Sequence, residues 1–186
     1  MDSLKRVLGA AAVGLALFAV QGVSHAGGWT PDGASFEVGM AKDDLYIGRV
    51  ALQWDWDKKW FQSNGTHLNG YWDLNLGWWH LQDYERKGDS KEVGVIGLTP
   101  VFRFEKDNKK GPYIEAGIGI SFFSKVYNNS GERMGTSFEF ADHIGVGYVF
   151  DNKFDLGLRI QHYSNAGISD HNGGENLILI RGAYRW

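Results

Sequence analysis

The chain has 186 residues, enough for one domain or a small pair, with 26 Gly, 8 Trp, 8 Tyr, 11 Phe, only 3 Pro and no Cys. The lack of Cys excludes a disulfide scaffold and any thiolate-ligated zinc or iron–sulfur site. A net charge of −3 with scattered Lys and Arg offers no basic face to nucleic acid.

The first element reads as a secretory signal peptide. Lys5 and Arg6 give a short positive region, Val7 to Val20 contains only apolar residues and glycine, and Ser24-His25-Ala26 is a small-x-small cleavage site. An N-terminal membrane anchor is the other reading, but the run is short for a bilayer span of ~20 residues. Cleavage removes residues 1–26 and leaves 27–186 as a single domain outside the cytoplasm. Loss of Asp2, Lys5 and Arg6 takes the net charge from −3 to −4. No later apolar run is long enough for a membrane helix, which excludes a helical membrane protein but not a barrel.

From Ser35 onward the dominant period is two. Eight strands are expected, near 35–42, 44–56, 66–82, 92–105, 112–124, 136–150, 153–165 and 175–186. In the third, Leu68, Gly70, Trp72, Leu74, Leu76 and Trp78 alternate with Asn69, Tyr71, Asp73, Asn75 and Gly77. In the sixth, Phe138, Phe140, Ile144, Val146, Tyr148 and Phe150 oppose Ser137, Glu139, His143, Gly145 and Gly147. In the seventh, Phe154, Leu156, Leu158 and Ile160 oppose Asp155, Gly157, Arg159 and Gln161. Each is a strand with one wet face.

Two closures fit that pattern. A soluble lipocalin-like barrel turns its apolar face inward around a ligand; an outer-membrane barrel turns it outward against lipid. Three features favour an all-β, eight-stranded antiparallel transmembrane β-barrel. Asp73, Asn75, Glu115, Glu139, His143, Asp155, Arg159 and Gln161 offer both signs of charge for pairing in a narrow lumen. Trp54, Trp56, Tyr71, Trp78, Trp79, Tyr84, Tyr113, Tyr148 and Tyr184 lie near strand ends, where aromatic girdles are expected. The last strand ends on Trp186, with Tyr184, Ile180 and Ile178 sharing a face, which resembles the C-terminal signature of bacterial outer-membrane proteins. With both termini periplasmic, the links 83–91, 125–135 and 166–174 face outward.

The seventh strand then departs from its own rule. The parity of Leu158 and Ile160 puts His162 and Ser164 on the lipid face, at the outward end. Residues i and i+2 of a strand lie roughly 6–7 Å apart on one side, so imidazole and hydroxyl can meet. A carboxylate on the other ring nitrogen would fix the tautomer, and Glu175, across the loop, is within hairpin reach. His162 with His171 suggests a metal only weakly, for one lies on a strand and the other in a loop without ligand spacing.

His162-Tyr163-Ser164-Asn165-Ala166-Gly167, followed by Asn172, Glu175 and the terminal strand, closely resembles the outer-membrane lipid A 3-O-deacylases, the PagL family. The resemblance is densest from Phe138 to Trp186 and includes Asp142. It implies a Ser–His–Glu serine esterase that removes the 3-hydroxy-acyl chain ester-linked at position 3 of lipid A, at the outer leaflet and without metal or cofactor. Carried over, Ser164 is the nucleophile, His162 the general base and Glu175 the orienting acid. Asn165, Gly167 and Asn172 are candidates for the oxyanion hole or for holding the loop, and Asp142 is supportive. One departure stands out: strict spacing lands on Asn176, so Glu175 requires a one-residue deletion in the loop, and Asp170 is the rival acid.

The partners expected are lipid A as part of lipopolysaccharide and the surrounding outer-membrane lipids, with a homodimer left open. Arg86, Lys87, Lys91, Lys125 and Arg133 on the outward loops could meet lipid A phosphates. Acyl transfer to lipid A or phospholipid hydrolysis at the same wall is the enzymatic alternative. A catalytically silent barrel, adhesin or structural, is the alternative of another class.

Overall fold

The computed structural model describes residues 30–186. The expected signal peptide lies outside the described residues. Period-two sequence becomes eight antiparallel strands: β1 (Gly33–Ala41), β2 (Leu45–Asp55), β3 (Thr66–Leu81), β4 (Lys91–Lys106), β5 (Gly111–Phe123), β6 (Phe138–Val149), β7 (Phe154–Ser164) and β8 (Glu175–Arg185). Each pairs with its neighbours in the chain, and β1 returns to β8 from Gly33↔Arg185 to Met40↔Ile178. The sheet therefore closes and leaves no open edge among the eight, which is the condition for a sheet to cross lipid. Trp60–Ser63 adds a short strand to β3 at the end where the described chain begins and ends, and Asn128–Asn129 pairs with Glu132–Arg133 in an outward loop.

The two faces sort by parity. Leu76, Ile96, Ile118, Ile144, Ile160, Ile178 and Ile180 stand exposed on the outer wall. Moving each such side chain out of water is worth ~1.5–3 kcal/mol, so this wall belongs in hydrocarbon, and the soluble barrel with its apolar face inward is excluded. A shallow apolar groove of about 480 Å³ runs over the wall where Ala116 sits low between Ile144, Val146, Leu158 and Ile160.

The lumen is filled, not open. Arg159 reaches Glu37 Oε1 and Glu115 Oε1 at 2.7 Å each and donates to the Tyr71 hydroxyl at 2.8 Å. Arg103 joins Glu115 at 2.7 Å and Asp155 at 3.0 Å, Arg181 joins Asp155 at 2.7 Å, and Arg49 pairs with Glu37. Tyr113 donates to Asp155 at 2.6 Å. Glycine makes the room: a Cβ on Gly119 would lie 2.1 Å from Thr99 Oγ1 and 2.8 Å from the Leu98 carbonyl. Charges this deeply buried are tolerable only because each has partners of opposite sign.

Parity also corrects three aromatic expectations. Tyr71, Trp79 and Tyr113 are buried inside the barrel and do not belong to a girdle. They occupy odd positions of strands whose odd positions point inward. The girdle at the end near the termini is instead Trp56, Trp60, Trp72 and Phe102, packed edge to face or tilted. At the other end Phe122, Phe138 and Phe140 pack edge to face.

Above the charged network the lumen turns apolar. Leu45, Ile47, Trp79, Leu81, Val95, Phe123, Tyr127, Met134, Tyr163, Leu177 and Leu179 form one cluster at the outward mouth. The loop after β5 folds over it, and Asn129 ties that loop to its neighbours: its amide oxygen accepts from Asp83 N–H at 3.0 Å, and its NH₂ donates to the Asp43 carbonyl at 3.1 Å. A mouth closed in this way positions the last loop, residues 165–174, against a fixed floor.

Candidate active site

The parity that sends Arg159 and Gln161 inward sends His162 and Ser164 outward, both half-buried at the loop end of β7. They stand directly above Leu158 and Ile160, at the upper edge of the aliphatic band, where polar groups meet the interface rather than the bilayer centre. Register supplies two neighbours on the same outward face. His162 lies opposite Asp142 of β6 on one side and Asn176 of β8 on the other. Asn176 Oδ1 stands 2.9 Å from His162 Nδ1. An amide oxygen can only accept, so Nδ1 carries the proton and Nε2 is left as the basic nitrogen. Gly174 keeps space beside the ring, for a Cβ there would meet His162 Cε1 at 3.0 Å, and its φ of +59° already suits glycine.

Glu175, expected to orient His162, is on the wrong face. Its register partner is Tyr163, an inward residue, and its side chain is buried in the barrel mouth. There it accepts a hydrogen bond from the Tyr127 hydroxyl at 2.5 Å. Burial first, then this carboxylate, pushes the Tyr127 phenol well above its usual range, so it stays a donor. In a strand a one-residue slip flips a side chain to the opposite face, and that is the distance between Glu175 and Asn176. Glu175→Gln should therefore keep turnover within a few-fold of wild type, since an amide oxygen can still accept from Tyr127. Initial rates on an ester substrate in detergent micelles check this. Loss of orders of magnitude would return the orienting role to Glu175.

The remaining expected residues divide cleanly. Asn165 is buried and holds the loop: its NH₂ donates to the His171 carbonyl at 2.8 Å, and its amide oxygen accepts from Gly167 N–H at 3.0 Å. Asn172 Oδ1 accepts from Asn165 N–H at 2.9 Å, and Gly167 takes the positive φ of +81° the turn requires. The loop is further pinned by Gly173 N–H donating to the Arg133 carbonyl at 3.0 Å. Asp142 comes to His162 in register, and its buried Oδ1 has no hydrogen-bond partner among the described residues. Asp170, the rival acid, is exposed in the loop. Asn176 was the residue sequence reasoning passed over. Among the described residues, no three His, Cys, Asp or Glu side chains gather as a metal site.

Fold and site together define an eight-stranded outer-membrane barrel with a His-x-Ser pair on its outer wall. The profile of the lipid A 3-O-deacylase (PagL) family matches residues 46–185. The lipid A deacylase PagL of Pseudomonas aeruginosa is 36% identical over 160 residues, spanning 86% of this chain and 90% of that one. The PagL of Bordetella bronchiseptica is 30% identical over 160 residues, spanning 84% and 85%. A crystal structure of the outer membrane enzyme PagL superposes with a TM-score of 0.72 at 32% identity, covering 83% of this chain and 99% of that one. The chain belongs to the PagL family.

Proposed function

We propose that this protein is a lipid A 3-O-deacylase working from the outside wall of its barrel, with Ser164 as nucleophile and His162 as general base. The observation that carries the reading is that both side chains lie on the outward face of β7, with Asn176 Oδ1 of β8 standing 2.9 Å from His162 Nδ1. A substrate whose acyl chains already lie beside the barrel can reach such a site sideways, without leaving the membrane. The groove under Ile160 and Leu158 offers an apolar bed for a chain that descends from the site.

In this reaction Ser164 Oγ attacks the ester carbonyl while its proton passes to His162 Nε2. The tetrahedral oxyanion needs hydrogen-bond donors, and Asn172, anchored through its oxygen to Asn165 N–H, is the candidate side chain. Collapse breaks the bond to the sugar oxygen, which takes the proton back from His162. Water then repeats the sequence on the acyl-enzyme, releases the 3-hydroxy acid and restores the serine. Asn165 and Gly167 shape the turn that carries these groups.

Product analysis separates this reading from its enzymatic alternatives. Purified protein in mixed micelles of lipid A and phospholipid should release one 3-hydroxy fatty acid per lipid A and leave the phospholipid intact. Appearance of free phospholipid acyl chains would mark a phospholipase, and acyl gain by lipid A would mark a transferase.

A further inference from the structure

We propose that Asn176 is the positioning residue of this site: its neutral amide oxygen, in place of a carboxylate, holds His162 in the tautomer that leaves Nε2 free for the Ser164 proton. The inference rests on the Ser164–His162 reading above and adds to it the third member. The resemblance to the family implies a glutamate there, and this chain departs from that pattern.

Three observations lead to it. Asn176 and His162 are register partners on the outer face, with Oδ1 at 2.9 Å from Nδ1. The adjacent carboxylate, Glu175, is turned inward and bound to Tyr127. From the other side, Asp142 of β6 lies in register with His162 and keeps a buried oxygen without a hydrogen-bond partner among the described residues.

The direction of the amide decides whether such a site can work. An amide that presents its NH₂ to the imidazole forces the wrong tautomer, the reason a triad Asp→Asn change costs about 10⁴-fold. An amide that presents oxygen gives the right one, as in the Cys–His–Asn proteases. Here the oxygen faces Nδ1. What the amide lacks is charge, and a hydrogen bond to an ionised acceptor is roughly twice as strong as a neutral one. Among the described residues Asp142 is the carboxylate in strand register with the ring, and it places negative charge on the other flank. On β8 the facing residue is neutral, and the charges of β7 itself, Asp155 and Arg159, point inward. Asp170 and His171 stand in the loop that follows, both exposed. The site is thus a Ser–His–Asn arrangement with its carboxylate displaced to a neighbouring strand.

The test uses the full-length protein in micelles, with pH profiles of kcat and kcat/KM on lipid A for wild type, Asn176→Ala and Asn176→Asp. Heat-modified gel mobility confirms that each barrel is folded. Removing the amide should lower kcat about tenfold with KM unchanged, the worth of one hydrogen bond of orientation. The isosteric Asn176→Asp adds an anion that favours the imidazolium. It should move the acid limb of kcat/KM to higher pH by about one unit, with a plateau no lower than wild type. A merely structural asparagine would not shift that limb. If both variants superpose on wild type while Ser164→Ala is inactive, Asn176 does not position His162, although the nucleophile stands. A gain of about 10⁴-fold in Asn176→Asp would show that the native amide holds the wrong tautomer and would equally overturn the proposal. Activity in Ser164→Ala would overturn the nucleophile reading and this inference with it.

Discussion

Ser164→Ala and His162→Asn are each expected to lower turnover of lipid A by about 10⁴-fold or more, with the barrel still folded. Nucleophile and base act as one unit, so removing either costs nearly as much as removing both, and the double variant should be little worse than either single one. The expectation follows from placement. Both side chains sit at the surface end of β7, on the outer face, and neither appears in the luminal network. Their loss is therefore expected to remove chemistry with little loss of packing. Single-turnover assays in micelles, with folding followed by heat-modified gel mobility, measure both effects. Two additive partial losses would contradict a shared role.

The second large effect concerns the lumen. Arg159 holds Glu37, Glu115 and Tyr71 together at the centre of the barrel. Arg159→Met removes one member and leaves carboxylates short of counter-charge in a site that admits little water. Breaking a buried ionic network in this way costs about 3–5 kcal/mol. Lys42→Met, which breaks an exposed 2.9 Å pair with Glu132, should cost less than about 1 kcal/mol. Urea unfolding in micelles, followed by tryptophan fluorescence and gel mobility, ranks the two. An Arg159→Met midpoint equal to wild type would mean that luminal water solvates these charges and that the pairing is incidental.

Most of the barrel was legible because alternation is a strong signal when one face meets lipid and the other a packed lumen. Asp73, Glu115, Asp155 and Arg159 are read correctly as inward from that rule alone. Residue type misleads at the strand ends. Tyr71, Trp79 and Tyr113 were read by residue type as interfacial aromatics, whereas their odd positions already placed them inside. The apolar plug of Leu45, Trp79, Phe123, Met134 and Leu179 escaped notice because it is assembled from strand ends and a loop that share no period. His162 and Ser164 stood out because they are polar at outward positions. The partner of His162 was lost at the start of β8. Ile178, Ile180 and Tyr184 share the outer face, and counting back by two reaches Asn176, not Glu175. The preference for a carboxylate set aside the family spacing, which also lands on Asn176, and one residue in a strand is a change of face.

Ser164 is proposed to hydrolyse one lipid A ester at the membrane-facing wall. The most direct measurement is a mass spectrum of lipid A from a lipopolysaccharide-bearing host expressing the wild-type protein or Ser164→Ala at equal, folded levels. Wild type should shift lipid A down by one 3-hydroxy-acyl residue and release the free hydroxy acid, and Ser164→Ala should leave it unchanged. An upward shift, or the same loss with Ser164→Ala as with wild type, would contradict the account.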